Sequence, residues 1–329
     1  MRRLVAVGLL LALAGCGAAP QQPTAGRAPH TSGPSPLRST GSGAASTPHR
    51  MSATTLRWRL ALPTARQAVV DQGGPLLLAG GMLAGDTSTP RAFDIDLSSG
   101  RSHELPSLAV PVHDAAGGLY AGRPAVYGGG NATEQSVVQA YRGGAWRKVD
   151  ALPTTRSDLS VVQVSGRTLV LGGYDGSRVP LPVLEQQGAS GLRQAGRLEV
   201  GVRYAAVAAV GPAVFLLGGE VDGHELATIQ RYDADTGTTR VVGHLPRPLG
   251  HAMAATFGSR VLLMGGRTDP DTQTAQAWWF DPATGRVSKA GRLPRPVSDA
   301  GVARRGESAY LLGGEDPAVS DRVVRVAVR

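Results

Sequence analysis

Short runs of apolar residues, separated by turn residues, dominate the chain from about residue 54 onward. Six of these runs end in a Gly-Gly pair, at Gly80-Gly81, Gly128-Gly129, Gly172-Gly173, Gly218-Gly219, Gly265-Gly266 and Gly313-Gly314. An apolar stripe with helical spacing is not sustained in this region, because Gly and Pro interrupt every window. The pattern therefore predicts an all-β structure made of short strands.

The fifth of these runs shows how one unit is built. Strand-like segments are predicted at 252–257, 261–264, 277–280 and 286–289. The Gly-Gly pair closes the second segment, and a polar loop leads to the aromatic third segment. Residues 281–285, Asp-Pro-Ala-Thr-Gly, suit a tight turn, since Pro fits its early position and Gly its left-handed one. Each unit is thus predicted to contain four strands.

The Gly-Gly pairs recur at a nearly constant distance, with steps of 48, 44, 46, 47 and 48 residues. A period of this length is typical of repeat proteins in which one supersecondary unit recurs. A single unit cannot bury its own apolar face, so neighbouring units must pack against one another. We therefore expect six units in one closed assembly.

The unit resembles the kelch repeat, in which a Gly-Gly follows the second strand and an aromatic-Asp turn follows the third. Phe93-Asp94, Tyr232-Asp233 and Phe280-Asp281 carry this turn, whereas Tyr141-Arg142 departs from it. The resemblance covers essentially all of 54–329 and implies a six-bladed β-propeller, with four-stranded blades around a central channel.

The last repeat, from 299 to 329, supplies only three predicted strands. A lone segment at 56–60, which contains Trp58, precedes the first full repeat. We expect this segment to be the fourth strand of the last blade and to close the ring. Such closure leaves only short exposed strand edges.

The N-terminus has a different character. Two arginines precede an apolar stretch at 4–13 that is too short to span a bilayer, which is typical of a signal peptide. The stretch ends in Leu13-Ala14-Gly15-Cys16, which resembles a bacterial lipobox, and Cys16 is the only cysteine in the chain. The resemblance implies that Cys16 carries a lipid and becomes the first residue of the mature protein.

The predicted organisation has three parts. Residues 1–15 are a lipoprotein signal peptide, residues 16–53 are the lipidated Cys16 and a disordered Pro/Ser/Gly-rich tether, and residues 54–329 are the propeller. The tether contains too little apolar surface to offset the entropy of ordering. We therefore expect an extracytoplasmic, monomeric protein that the lipid alone attaches to the bacterial cell membrane.

Candidate ligand-binding residues follow from the repeat. The position fourteen residues before each Gly-Gly is polar or ionisable in every unit: Arg66, Asp114, Asp158, Tyr204, His251 and Asp299. In kelch domains this position often faces the channel mouth, so the resemblance implies that the six side chains converge there. Glu220 and Glu315, which directly follow a Gly-Gly, complete the predicted binding site.

The formal net charge is +9, but the charge is unevenly distributed. The loops after the Gly-Gly pairs contain eleven acidic and four basic residues, a balance of −7. The basic excess falls largely on predicted outer strands and opposite turns, at residues such as Arg147, Arg193 and Arg286. We therefore expect an acidic loop face and a basic rim.

These observations favour a non-catalytic propeller that binds a protein or glycan at the cell envelope. The alternative is a sugar-active enzyme resembling kelch-type sialic-acid mutarotases, with His251 and either Asp299 or Asp158 as an acid–base pair. A deep pocket with shifted pKa values would favour the enzyme, and a broad acidic face would favour a binding platform.

Cofactors and nucleic acid are not expected as partners. Copper radical oxidases with kelch propellers need a cysteine crosslinked to a tyrosine, and the single Cys16 is assigned to the lipid. The seven histidines form no close pair typical of a zinc or copper site. The sequence shows no basic face interleaved with aromatic residues, the pattern that would indicate binding to nucleic acid.

Overall fold

The computed structural model describes residues 50–329, which form six four-stranded antiparallel sheets. The sheets are the blades of a β-propeller, and the prediction of an all-β, six-bladed fold is confirmed. Within residues 50–329, no helix is long and apolar enough to cross a membrane. The predicted signal peptide, Cys16 and the tether up to residue 49 lie outside the described residues.

The strands of each blade run from the channel outward in chain order, except in blade 6. Blade 1 contains Ala68–Val70, Leu76–Ala79, Ala92–Ile95 and Ser102–Leu105; blade 2 contains Ala116–Tyr120, Arg123–Tyr127, Val137–Arg142 and Ala145–Ala151; blade 3 contains Ser157–Val164, Arg167–Tyr174, Pro182–Gln186 and Leu192–Arg197. Blade 4 contains Ala206–Val210, Ala213–Leu217, Thr228–Asp233 and Thr239–His244; blade 5 contains Met253–Phe257, Arg260–Met264, Gln276–Asp281 and Arg286–Arg292; blade 6 contains Gly301–Arg305, Ser308–Leu312, Val323–Val328 and Met51–Thr55.

Short two-stranded hairpins follow three of the Gly-Gly pairs. They pair Met82–Leu83 with Thr87–Ser88, Glu220–Val221 with His224–Glu225, and Arg267–Asp269 with Thr272–Gln273. All three belong to loops that leave the second strand of a blade, so they lie on the face where the innermost strands begin. This face carries the candidate site.

The N-terminal strand closes the ring as predicted, but at a different place in the chain. Met51–Thr55, not 56–60, pairs antiparallel with Val323–Val328, with Met51 opposite Val328 and Thr55 opposite Val324. Its residues alternate between half-buried and exposed, as an outer strand requires. The predicted domain start at residue 54 lies within this strand.

Residues 56–60 lie alongside the same blade without forming a strand. The N–H groups of Leu56 and Leu60 donate to the carbonyl oxygens of Val323 and Asp321, at 2.8 and 2.9 Å. Leu60 is buried among residues of blades 1 and 6, and Trp58 packs against the same cluster. The large apolar side chains here therefore fill the interface between the two blades. Because buried strands carry the same kind of side chain, the sequence pattern suggested a strand.

The apolar core is divided among the blade interfaces. Six clusters of buried residues each join two neighbouring blades, including one between blades 6 and 1. Burial between blades, not within one, explains why a single repeat cannot be stable alone.

The Gly-Gly pairs are required by backbone conformation and by space. In blade 5, Gly265 and Gly266 have φ of 61° and 97°, and the N–H of Gly266 donates to the carbonyl oxygen of Val297 at 2.8 Å. A Cβ on Gly265 would lie 2.3 Å from that oxygen. Only glycine adopts this conformation without strain and also permits so close an approach.

Candidate functional site

The six residues predicted to face the channel mouth occupy equivalent positions at or just before the innermost strands. We call this set the collar: Arg66, Asp114, Asp158, Tyr204, His251 and Asp299. Each has a left-handed backbone conformation, with φ between 52° and 58°. Such conformations are uncommon for residues other than Gly, and they persist where the surrounding structure enforces them. Their repetition in all six blades marks the collar as a built feature.

The collar residues form a closed ring of peptide hydrogen bonds around the channel. Each N–H donates to the carbonyl oxygen of the collar residue in the preceding blade, at 2.9 to 3.2 Å. The bond from the N–H of Arg66 to the oxygen of Asp299 completes the ring between blades 1 and 6. The ring holds six polar side chains in a fixed relation to one another and to the opening.

Arg66 extends its guanidinium across the opening. Its Nη1 donates to Oδ2 of Asp114 and to the hydroxyl of Tyr204, both at 3.2 Å, and its Nε donates to Oε1 of Glu315 at 3.1 Å. These partners belong to blades 2, 4 and 6, so one side chain links three other blades. Burial alone would lower the pKa of Arg66, but the surrounding carboxylates raise it, and the guanidinium stays charged.

His251 lies between two carboxylates. Its Nδ1 is 2.7 Å from Oδ1 of Asp299, and its Nε2 is 3.3 Å from Oε2 of Glu220. An imidazolium ring donates from both nitrogens and fits this arrangement. The ring also stacks on Tyr204, with centroids 3.8 Å apart.

The pKa values of this cluster are shifted in opposite directions. Burial alone would lower the pKa of His251, but its attraction to Asp299 and its hydrogen bonds raise it to about 9. Burial alone would raise the pKa of Asp299, but the charge of His251 lowers it to about 2. The hydrogen bond from His251 is the main reason why the pKa of Glu220 falls to about 2. All three groups are therefore charged at neutral pH.

Two other collar carboxyl groups are shifted the other way. Burial, reinforced by the nearby Asp114, raises the pKa of Asp158 to about 7, although Nη1 of Arg203 lies 3.4 Å from its Oδ2. Burial also raises the pKa of Asp114. Outside the collar, burial raises the pKa of Glu315. The site thus combines fixed charges with a carboxyl group that exchanges a proton near neutral pH.

Two arginines of the site, Arg203 and Arg267, were absent from the predicted set. Arg203 forms an ion pair with Glu220, and Nη2 of Arg267 lies 3.3 Å from Oδ2 of Asp299 and also pairs with Glu315. Arg203 precedes a collar residue and Arg267 follows a Gly-Gly, and isolated bridges join these two kinds of position across a blade. Their place in the repeat was therefore a signal that could have identified them.

The arginines pair with the carboxylates nearest the channel mouth. Glu220 and Glu315 pair with Arg203, Arg66 and Arg267, and outside the site Asp175 pairs with Arg178. The channel mouth is accordingly a compact network of paired charges, whereas seven of the eleven loop acids, such as Asp222 and Asp269, form no ion pair with the described residues. The basic residues Arg147, Arg193 and Arg286 lie on outer strands, as predicted.

The collar surrounds a cavity of about 140 Å³, which all six collar side chains line. Directly next to it along the channel, a second space of about 290 Å³ is lined mainly by small residues of the innermost strands, such as Ala116, Ala206 and Gly301. In the part of the chain that the structure describes, no group of three or more His, Cys, Asp or Glu side chains is arranged to hold a metal ion. The cavity is suited to a small polar ligand.

Fold and repeat pattern together define the class of the protein, a six-bladed kelch-repeat β-propeller with a polar channel mouth. The chain is 30% identical over 133 residues to the F-box/kelch-repeat protein At1g67480 of Arabidopsis thaliana. The aligned region covers 37% of this chain and 35% of the relative. The match therefore spans about a third of the relative's length. Among solved structures, the structure of YjhT superposes with a TM-score of 0.71 at 14% identity, covering 82% of this chain and 95% of that one. No protein-family model matches the chain.

Proposed function

We propose that the chain is a lipid-tethered extracytoplasmic propeller that binds a carbohydrate unit at the collar without transforming it. The collar supports this proposal most directly: six polar side chains, fixed on a ring of peptide hydrogen bonds, surround one cavity. Fixed donors and acceptors increase the affinity of a site for a polar ligand, because little side-chain entropy is lost on binding.

The size of the cavity favours a glycan over a protein segment. Pockets for drug-sized ligands measure about 300–1,000 Å³, whereas the collar cavity measures about 140 Å³. A single sugar unit offers hydroxyl groups that both donate and accept hydrogen bonds, which suits a lining of Arg, Asp, Tyr and His side chains. A protein partner would need contacts over a broad surface, whereas the collar side chains converge on one small cavity.

A sugar-active enzyme is the second candidate. The shifted pKa values around the cavity favour it, and that of Asp158 does so most directly. Its carboxyl group lines the cavity and has a pKa of about 7, which suits a general acid or base at neutral pH. Interconversion of sugar anomers needs a proton removed from the anomeric hydroxyl and one delivered to the ring oxygen, so that the ring C–O bond opens and re-forms. Asp158 would exchange one of these protons.

The proposed location rests on the N-terminal sequence alone. Cys16 in its lipobox-like context, followed by a Pro/Ser/Gly-rich segment, supports attachment to the outer side of a bacterial membrane by a lipid. A glycan of the cell envelope is the kind of partner that a domain held there would meet.

A glycan array probed with the full-length protein tests the proposal, followed by titration calorimetry with the best ligand. We expect Arg66→Met to weaken binding at least ten-fold, because Arg66 contacts three other blades across the cavity. The matched control is Arg147→Met, which removes an exposed arginine from the outer strand of blade 2. Equal affinities of these two variants would contradict the proposal.

The two candidates differ in the behaviour of Asp158→Asn. If the protein only binds, this variant retains affinity within a few-fold and neither protein accelerates anomer exchange. If the protein is an enzyme, the wild type accelerates exchange measured by NMR and Asp158→Asn abolishes it. Rapid exchange by the wild type would replace the binding proposal with the enzymatic one.

A further inference from the structure

A separate cavity lies outside the channel mouth, beside the loop that follows the Gly-Gly pair of blade 3. Its volume is about 240 Å³, well above the ~10–15 Å³ that one water needs. Three arginines contribute to its lining, Arg156, Arg178 and Arg197, together with the single acid Asp175. It shares no residue with the collar cavity.

Arg156 is the unusual member of this set. Only 2% of its surface is exposed, and its Nη1 donates to the carbonyl oxygen of Gly172 at 3.2 Å. Its Nε is buried and has no hydrogen-bond partner among the described residues. Burial lowers the pKa of Arg156 to about 10, so the group is still charged at neutral pH. A buried charge without full compensation is costly for a folded protein.

Asp175 attracts Arg156 through space but forms no hydrogen bond with it, because its oxygens are engaged elsewhere. Oδ1 accepts hydrogen bonds from the N–H and hydroxyl of Ser177 and from the N–H of Arg178, and Oδ2 accepts from Nε of Arg178. Burial alone would raise the pKa of Asp175, but these hydrogen bonds lower it to about 2. With three arginines and one ionised aspartate, the cavity carries a net charge of +2.

The fold itself does not require an arginine at this position. Aligned on the Gly-Gly pairs, the equivalent residues of the other repeats are Val112, Val202, Leu249, Val297 and Thr64. In every repeat the carbonyl oxygen at this position accepts a hydrogen bond from the second glycine of a Gly-Gly pair, as Arg156 does from Gly129 at 2.7 Å. The shared role belongs to the backbone, and an apolar side chain is sufficient for it in four other repeats.

We propose that this cavity binds a phosphate group, with Arg156 as its central ligand and Arg178 and Arg197 at its edge. A guanidinium with a free N–H group recognises tetrahedral oxyanions through charge-assisted hydrogen bonds. The bound anion supplies the negative charge that the cavity lacks, beside a guanidinium whose one hydrogen-bond acceptor among the described residues is the carbonyl oxygen of Gly172. The site is independent of the carbohydrate proposal, because it lies outside the collar.

Calorimetric titration of the full-length protein with inorganic phosphate at constant ionic strength tests the site. We expect saturable binding of one phosphate per chain and at least a ten-fold loss of affinity in Arg156→Met. Arg197→Met, which alters only the edge of the cavity, should weaken binding several-fold. Arg240→Met is the matched control, because it removes an exposed arginine from the outer strand of blade 4 and should leave the affinity unchanged.

Unfolding without phosphate separates a binding role from a structural one. If Arg156 serves a ligand, Arg156→Met is at least as stable as the wild type, and phosphate raises the Tm of the wild type alone. A variant that is less stable and still binds phosphate normally would overturn the proposal. If Arg156→Met does not fold, unchanged affinity in Arg197→Met would overturn it instead.

A phosphate group can come from solution or from a lipid headgroup. Flotation with phosphatidylglycerol vesicles, in a Cys16→Ser background that has no thiol to acylate, distinguishes these sources. Calorimetric binding of free phosphate indicates a soluble ligand, whereas vesicle binding that only Arg156 controls indicates a headgroup. The absence of both forms of binding would refute the site.

Discussion

The ion pair network around His251 predicts a specific dependence of stability on pH. The folded-state pKa of His251 is raised from 6.5 to about 9, so the folded protein holds this proton more tightly than the unfolded chain does. The resulting stabilisation is fully present below pH 6.5 and is lost as pH rises through about 9. A shift of this size corresponds to about 3 kcal/mol, at about 1.4 kcal/mol for each pH unit.

The perturbation is His251→Gln, and the measurement is urea-induced unfolding between pH 6 and 10. The variant loses its hydrogen-bonded charge at every pH, so the informative quantity is the difference in unfolding free energy from the wild type. We expect this difference to shrink by about 3 kcal/mol across the range. Asp158, whose pKa is about 7, titrates in both proteins, and its contribution largely cancels in the difference.

The matched control is His244→Gln, which replaces an exposed histidine on the outer strand of blade 4. The change of its difference with pH gives the background against which the His251→Gln result is compared. A His251→Gln difference that changes no more than this background from pH 6 to 10 would refute the reasoning. An NMR titration that assigns His251 a pKa at or below 6.5 would do the same.

Three further predictions concern the scaffold and the anchor. Gly265→Ala should lower the free energy of unfolding by more than about 2 kcal/mol, because its Cβ would meet a carbonyl oxygen at 2.3 Å. Gly258→Ala, with open space around the new Cβ, should lower it by about 1 kcal/mol. Equal losses in chemical denaturation would contradict this explanation. Deletion of residues 50–55 should lower the Tm by exposing the edge of blade 6, and deletion of 17–48 should not; similar Tm losses would refute closure by the N-terminal strand. Cys16→Ser should move the protein from the membrane fraction to the soluble one or block its processing, and mass spectrometry of an unmodified mature N-terminus in the wild type would disprove the lipid anchor.

The architecture was predictable because it depends on spacing. The Gly-Gly period sets the number of blades, and each pair marks a backbone position that only glycine fills, as Gly265 shows. Counting fourteen residues back from each pair then identified all six collar residues. Regular repeats place equivalent residues at equivalent sites, so a count along the chain becomes a position in space.

The details of the site were not predictable because they depend on how blades meet. The peptide ring joins residues of different repeats, and Arg66 reaches partners in blades 2, 4 and 6. The closing strand was misplaced for a related reason. The apolar residues Leu56, Trp58 and Leu60 suggested a strand, but they fill the interface between two blades.

Arg156 illustrates an intermediate case. Its departure from the apolar pattern of four other repeats is visible when the sequence is aligned on the Gly-Gly pairs. Its meaning depends on burial and on the unpartnered Nε, which only the structure provides. A residue that breaks a local rule without evident compensation is a reasonable place to look for a ligand.

The central claim is that the collar is the ligand-binding site. A crystal structure of the full-length protein with the highest-affinity glycan from the array tests this claim most directly. The account predicts the sugar in the collar cavity, within hydrogen-bonding distance of Arg66, Tyr204 or Asp158. A glycan bound instead on the outer strands, beside Arg147 or Arg193, with the collar empty, would contradict it.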